Sequence, residues 1–354
     1  MRNSITREET GRVATYAAVV LGVAALAAIA VLAIDVVLLV FAAILLAIML
    51  RGLAKQLATR TRLGPRASLL VVGLALPAAL VLGGWALSAT IGNQFAELAS
   101  ALPPAVATLR ERVEGLQWVE RLSAWLPSPS SLASGRGDVL GRITGFFSVT
   151  LGAMANVLLA LAIGAYLAAD ARLYTDGFAR LFPQERRARV HAVLDELGST
   201  LGWWLASTSM SMTVVGVSTW IGLTLLGFPL AAPLAVIAAV LTFIPNLGPL
   251  LSVVPALLVA LAESPVRALH VLLLYGGIQF VESYLVTPLL QKRMVSLPPA
   301  LTIVAQVLAG VLFGPLGLLL AAPMTATALV LVRRLYVDGV LGERVEPMGP
   351  SNGR

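Results

Sequence analysis

Apolar residues fill long unbroken runs in this chain, at about 13–34, 36–50, 67–92, 143–169, 201–227, 230–262, 268–290 and 301–332, and polar residues gather between them. At 1.5 Å rise per residue, a helix needs roughly 20 apolar residues to cross a hydrocarbon core of about 30 Å. Segments 13–34, 67–92, 143–169, 201–227 and 268–290 meet that length. Segment 36–50 is short, and only Asp35 parts it from the first run. The pattern predicts an all-α, polytopic membrane protein with about eight hydrophobic segments.

Two segments are too long to be plain spans. A helix over 230–262 would run about 50 Å and one over 301–332 about 48 Å, well beyond the lipid core. The sequence supplies breaks in both: Phe243-Ile244-Pro245-Asn246-Leu247-Gly248-Pro249 and Phe313-Gly314-Pro315-Leu316-Gly317. Proline removes a backbone donor and clashes with the preceding turn, while glycine tolerates positive φ, so each cluster should unwind the helix or turn it back. Both segments are therefore expected to be re-entrant or hairpin elements. Unwound backbone at membrane depth must be buried in protein or line a wet cavity. Pro245, Asn246, Gly248, Pro249, Gly314 and Pro315 are accordingly candidates for a solute or ion pathway, with a packed structural kink as the alternative. Two broken segments, one in 201–262 and one in 268–332, also loosely match the internal repeats of secondary transporters.

The polar stretches divide the chain further. Residues 1–92 form a three-segment scaffold with a basic cytoplasmic loop at 51–66. An extracytoplasmic loop follows at 93–142, where Val106, Leu109, Val113, Leu116, Val119, Leu122 and Trp125 recur at three- and four-residue spacing and predict an amphipathic helix. Residues 143–200 hold the fourth span and a cytoplasmic helix opened by Pro183, with Val190, Val193, Leu194, Leu197 and Leu201 on one face. A transport core covers 201–334, and 335–354 is a flexible cytoplasmic tail.

Composition sharpens this picture: 58% of the 354 residues are hydrophobic and 12% charged, against about 45–50% and about 25% in soluble domains. Lipid must be the solvent for most of the chain. The net charge of +7 does not point to nucleic acid, because the basic residues sit in short clusters between apolar runs. Arg51, Lys55, Arg60, Arg62 and Arg66 follow the second segment without an acidic residue, which places that stretch and both termini on the cytoplasmic side. With no cysteine, disulfides and thiolate sites are excluded, and His191 and His270 do not make a metal site. HExxH, GxSxG and GxxxxGK[ST] motifs are absent, so neither an enzyme nor an ATP-driven pump is expected, and no cofactor.

Within the spans the conspicuous ionisable residue is Glu282, near the middle of 268–290. A carboxylate there costs about 2.5–3.5 kcal/mol on insertion scales, so it should face protein or a cavity. Gln279 and Tyr275 lie three and seven residues earlier, on the same helical face. The group is either a substrate or proton site or a polar stripe that glues helices together. Gln306 in 301–332 is a further pathway candidate whose alternative role is such glue. Gly310 to Gly314 matches GxxxG and should let backbones approach.

The stretch Leu241 to Leu261, with Pro245-Asn246-Leu247-Gly248-Pro249 and Pro255, resembles the hallmark of the AI-2E family of bacterial membrane transporters. Leu181-Phe182-Pro183 with Arg186, Arg187 and Arg189, then Gln279-Phe280-Val281-Glu282, Pro288 and the run from Gly310 through Pro323, are similar to further parts of that family. Where the family is expected to carry a Gly-Gln pair, this chain has Ser207-Thr208 after Trp203-Trp204. The resemblance implies an eight-segment inner-membrane protein, a homo-oligomer and in particular a pentamer. Relatives export the signal autoinducer-2, and others are linked to Na+(Li+)/H+ exchange. The implied function is export of a small polar organic solute by alternating access without ATP, with H+ or Na+ as a partner ion. An antiporter and a non-transporting membrane scaffold are the alternatives.

Overall fold

A computed structural model describes residues 34–78, 156–228, 230–291 and 298–342, together with isolated residues between 82 and 104. The first predicted span, the amphipathic helix of the outer loop, Lys292, Arg293 and the tail beyond 342 lie outside the described residues. Every element described is helical. Four helical stretches are long and apolar enough to cross a membrane, Ile34–Arg60, Gln184–Leu225, Pro265–Leu289 and Pro299–Val337, with a fifth if a bent pair counts as one span. Among the described residues, then, the eight predicted segments reduce to four or five candidate spans.

Helix α1 covers Ile34–Arg60, with Asp35 in its first turn and Arg60 in its last, each matching the helix dipole. It continues through Arg51 and Lys55 because Arg, Lys, Gln, Leu and Ala are all strong helix formers. Helix α2 is Pro65–Ala78. Helices α3 (Asn156–Ala169) and α4 (Ala171–Arg180) meet at an 82° bend, where the Asp170 carboxylate accepts the Leu173 N–H and restarts the chain as a new helix.

Helix α5, Gln184–Leu225, is 42 residues long, about 63 Å at helical rise. The cytoplasmic helix and the fifth span predicted as separate elements are this one rod. It ends where Gly227 adopts φ +71° and Phe228 N–H returns to the Leu223 carbonyl, a closure that glycine permits and that buries Phe228.

The chain then forms α6 (Ala231–Leu241) and α7 (Leu247–Glu263), separated at Thr242–Asn246. The two helices pack against each other, with Leu230, Ala231, Leu234 and Ala238 in one core with Ala256, Val259 and Ala260. Helix α8 (Pro265–Val281) starts from a Ser264 cap that accepts Arg267 N–H at 3.2 Å, with proline at its first position. A π-turn over Glu282–Val286 leads into the short α9, Thr287–Gln291.

Helix α10 spans Pro299–Leu331 and is interrupted at Gly314, whose φ of 65° and ψ of −156° are not helical. The interruption is a reversal. A Cβ on Gly310 would lie 3.7 Å from Leu318 Cβ, and one on Gly317 would lie 2.3 Å from the Ala309 carbonyl oxygen. Eight residues along an unbroken helix would be about 12 Å apart. Both overlong segments are thus helical hairpins, broken where proline and glycine predicted it. The GxxxG glycines serve the hairpin itself: Gly310 faces the returning arm, and Gly314 is the turn. A second π-turn, Val332–Val337, follows.

Lipid does not drive helices together as water does, so close approach of small residues takes over much of that work. Ala231, Ala235, Ala238, Ala256, Ala260 and Ala268 are buried at such seams. Leu274 of α8 fills the space at Gly222 of α5, where a Cβ would meet its Cδ1 at 2.4 Å. Large apolar side chains such as Leu74, Leu225 and Val311 point outward, as a lipid-facing surface requires.

Candidate functional site

The two hairpins approach from opposite ends of α5. The first opens beside Leu223 and Phe228 at the C-terminal end, and its tip reaches back to Trp204, against which Phe243 stacks edge-on at 5.3 Å. The second closes at the other end: Arg334, just past its returning arm, pairs with Glu196 near the start of α5. In that half of the molecule Leu320, Ala322 and Ala326 of the returning arm form a core with Leu38 and Leu45 of α1 and Leu201, Trp204 and Leu205 of α5. Phe243 and Phe313, one from each break, pack on this core.

A hydrogen bond joins the hairpins. Gln306, fully buried in the outgoing arm of α10, donates from Nε2 to the Pro245 carbonyl oxygen at 2.7 Å. A proline carbonyl only accepts, which fixes the amide's orientation and turns Oε1 away; that oxygen is buried and meets no partner among the described residues. The first tip is tight. Asn246 sits at φ +65°, and a Cβ on Gly248 would fall 1.8 Å from the Leu241 carbonyl oxygen, so only glycine lets the arms cross there. Pro249 lies in the first turn of α7, where its carbonyl accepts the Ser252 hydroxyl at 2.8 Å. In the second tip Pro315 follows the Gly314 turn.

Glu282 is half-buried in the first π-turn and ringed by donors. The Ser211 hydroxyl of α5 donates to Oε1 at 2.9 Å and the Thr287 hydroxyl to the same oxygen at 2.7 Å, while Gln279 Nε2 and Ser283 Oγ reach Oε2 at 3.3 and 3.4 Å. The wide turn gives one extra residue between Gln279 and Thr287, so side chains on both sides of it converge on one carboxylate, a recurrent use of π-bulges. A carboxylate so placed accepts from four donors, on α5, α8, the π-turn itself and α9.

The structure brings Gln279 to Glu282 as their spacing predicted. Tyr275 lies two turns away, buried among Val215, Leu223, Ala256 and Val271, outside this hydrogen-bonded set. Ser211, Ser283 and Thr287 were not singled out from sequence, because isolated serines and threonines in apolar helices carry no signal. Glu196 did carry one: it falls on the apolar stripe with Val193, Thr200 and Leu201, and it is buried there. Arg189 adds to that clasp, donating to the Arg334 carbonyl at 2.7 Å and lying 3.4 Å from the Asp338 carboxylate. Among the described residues no group of three His, Asp or Glu side chains is disposed to hold a metal.

Residues 17–336 match the model of the AI-2E family transporters. Similar curated proteins include the candidate transport proteins YueF of Bacillus subtilis, 26% identical over 55% of this chain and 54% of its own length, and YhhT of Escherichia coli, 27% identical over 82% of each. YrrI of B. subtilis, a candidate transport protein too, is 29% identical over 47% of each chain. The match spans about half the length of the two Bacillus relatives and most of the Escherichia one.

Proposed function

The chain belongs to the AI-2E transporter family, and from that premise we propose that it exports a small polar organic solute, an autoinducer-2-like signal or related metabolite, across the bacterial inner membrane by alternating access without ATP. The observation that carries this reading is the meeting of the two hairpins, which approach from opposite ends of α5, at the Gln306–Pro245 hydrogen bond. Each hairpin follows a long helix, α5 or α8, and these run antiparallel, since Gly222 faces Leu274 while Ser211 meets Glu282. Such paired units, inverted relative to each other, are the architecture in which one half rocks against a fixed frame. The frame in this reading is α1 with α5, and the broken segments move against it.

In this reading the pathway residues are Pro245, Asn246, Gly248 and Pro249 of the first tip, Gln306, Gly314 and Pro315 of the second, and Tyr275, Gln279 and Glu282 along α8, with Glu282 as the site of a coupling proton. Both termini are cytoplasmic, the first hairpin opens outward and the second inward, and the protein assembles as a homo-oligomer, a pentamer. The donor ring on Glu282 also supports Na+(Li+)/H+ antiport as a second reading, because hydroxyl oxygens that donate to a carboxylate turn their lone pairs to a cation when one replaces the proton. Comparison of the solutes accumulated by a deletion strain and an overexpressing strain tests the export reading. A metabolite that rises inside the first and outside the second supports it; identical solute profiles, with sodium tolerance alone altered, refute it in favour of antiport.

A further inference from the structure

Thr219 and Tyr275 are the two buried polar side chains of the α5–α8 seam that the site above leaves unused. Thr219 is fully buried, Tyr275 is 9% exposed, and neither hydroxyl meets a hydrogen-bond partner among the described residues. For Thr219 this departs from its neighbours. Thr213, Thr224, Thr242, Thr302, Thr325 and Thr327 each donate to the carbonyl four residues earlier. Thr219 gives up that local bond, and a buried hydroxyl without a partner is costly unless something polar comes to it.

The register places the two residues at one level of the seam. Helices α5 and α8 are pinned by the Ser211–Glu282 hydrogen bond at one level and by Leu274 against Gly222 at another. Between these levels, Thr219 lies opposite Tyr275. Ser211 and Thr219 lie eight residues apart on one face of α5, with Val215 between them, and Glu282, Gln279 and Tyr275 follow at three and four on α8, so the polar positions run from the carboxylate as far as Thr219 and Tyr275, beyond which the seam is apolar core at Val271 and Ala268. Among the described residues of the elements packed there, α5 has no ionisable side chain after Glu196, α6 has none, α7 has only Glu263 at its far end, and α8 has Arg267 and His270 near its start besides Tyr275 itself.

We propose that Thr219 and Tyr275 hold internal water and form the last stage of the relay by which protons reach Glu282 along the α5–α8 seam. The relay rests on the reading of Glu282 as the proton carrier. Each hydroxyl accepts one proton on one side and releases another on the other; a proton enters at the outer end as one arrives on the Glu282 carboxylate, and no electrons move. Gln279, whose Nε2 is committed to Glu282 and Ser283, can orient the last water through its amide oxygen as a hydrogen-bond acceptor, and the proton passes from that water to the carboxylate. Water suits the site chemically, because two hydroxyls that can each donate and accept give it the several partners that a buried water needs.

The test follows the Glu282 carboxylic acid band by time-resolved infrared spectroscopy after a pH jump on the purified full chain, with Glu282→Gln to assign the band. Tyr275→Phe and Thr219→Val each remove one oxygen and should slow the appearance of the band by an order of magnitude, whereas Thr219→Ser restores the wild-type rate. A purely structural role for the hydroxyls predicts altered thermal midpoints with unchanged protonation rates, and that result overturns the relay. Wild-type rates in both variants overturn it while leaving Glu282 as the carrier. Absence of any band sensitive to Glu282→Gln in the wild-type protein overturns the carrier reading and the relay with it. Should one of the two variants fail to fold, the rate in the other decides: slowing supports the relay and no slowing refutes it.

Discussion

Removing Arg334 should destabilise the protein far more than removing the carboxylate it binds. The Glu196 side chain is 8% exposed and Arg334 is 23% exposed, so loss of the guanidinium takes away the charge that faces the carboxylate where water scarcely reaches. Breaking a buried pair in that way costs about 3–5 kcal/mol, and this sets the expectation for Arg334→Met. Loss of the carboxylate is milder. Arg334 keeps Asp338 at 4.0 Å and some access to solvent, so Glu196→Leu should cost about 1.5–3 kcal/mol, the range of one hydrogen bond to a charged group. The double variant replaces the pair with apolar side chains of similar bulk and should recover much of the loss, since such exchanges are often neutral. Tryptophan fluorescence during thermal unfolding in detergent gives the three midpoints, and their order should be Arg334→Met lowest, Glu196→Leu next, the double variant highest. Equal losses in the two single variants, or a double variant that simply sums them, would show that the clasp is not a desolvated ion pair and that the buried position of Glu196 has been misjudged.

Gly317→Ala should lower stability by at least about 1–3 kcal/mol, the cost of overpacking, because its Cβ would lie 2.3 Å from the Ala309 carbonyl oxygen; Gly276→Ala, with open space around it, should leave the midpoint within experimental error. Transport by Glu282→Gln in proteoliposomes should lose its pH dependence while assembly persists, and an unchanged pH profile excludes the proton role. A single cysteine at Lys292→Cys, in a chain with no native cysteine, should be blocked in intact cells only by a membrane-permeant reagent; labelling by an impermeant one would place the connection between α9 and α10 outside.

Breaks in the helices were legible because proline and glycine act locally: Pro245, Gly248, Gly314 and Pro315 each impose their geometry whatever lies nearby. What the breaks lead to was harder to read. That Gln306 meets Pro245, or Ser211 meets Glu282, depends on helices returning past one another over 61 and 71 residues, and no spacing within one segment encodes it. The continuity of α5 was hidden for the opposite reason. Polarity changes sharply near Leu201, which reads as a boundary between loop and span, but helix formation needs only the absence of a breaker, and between Gln184 and Leu225 glycine occurs without proline. Glu282 stood out as a charge amid apolar residues; its partners, being small and uncharged, did not. Glu196 was passed over although it falls on the apolar face of the predicted cytoplasmic helix, because its partner Arg334 lies 138 residues further along the chain.

A rod of 42 residues is also a lever. Helix α5 extends about 63 Å, twice the depth of the lipid core, and it carries attachments along nearly its whole length: the Arg334 clasp toward one end, the hairpin tips at Trp204, and the α8 seam and the mouth of the first hairpin at the other. If the rod pivots at the tips by about 10°, its ends swing by about 5 Å in opposite directions. Closure at the clasp and opening at the far mouth then become one motion, as the two ends of a seesaw cannot rise together. Such a lever needs no signal passed from side chain to side chain across the bilayer, because the backbone hydrogen bonds of one unbroken helix already bind its two ends to a single angle.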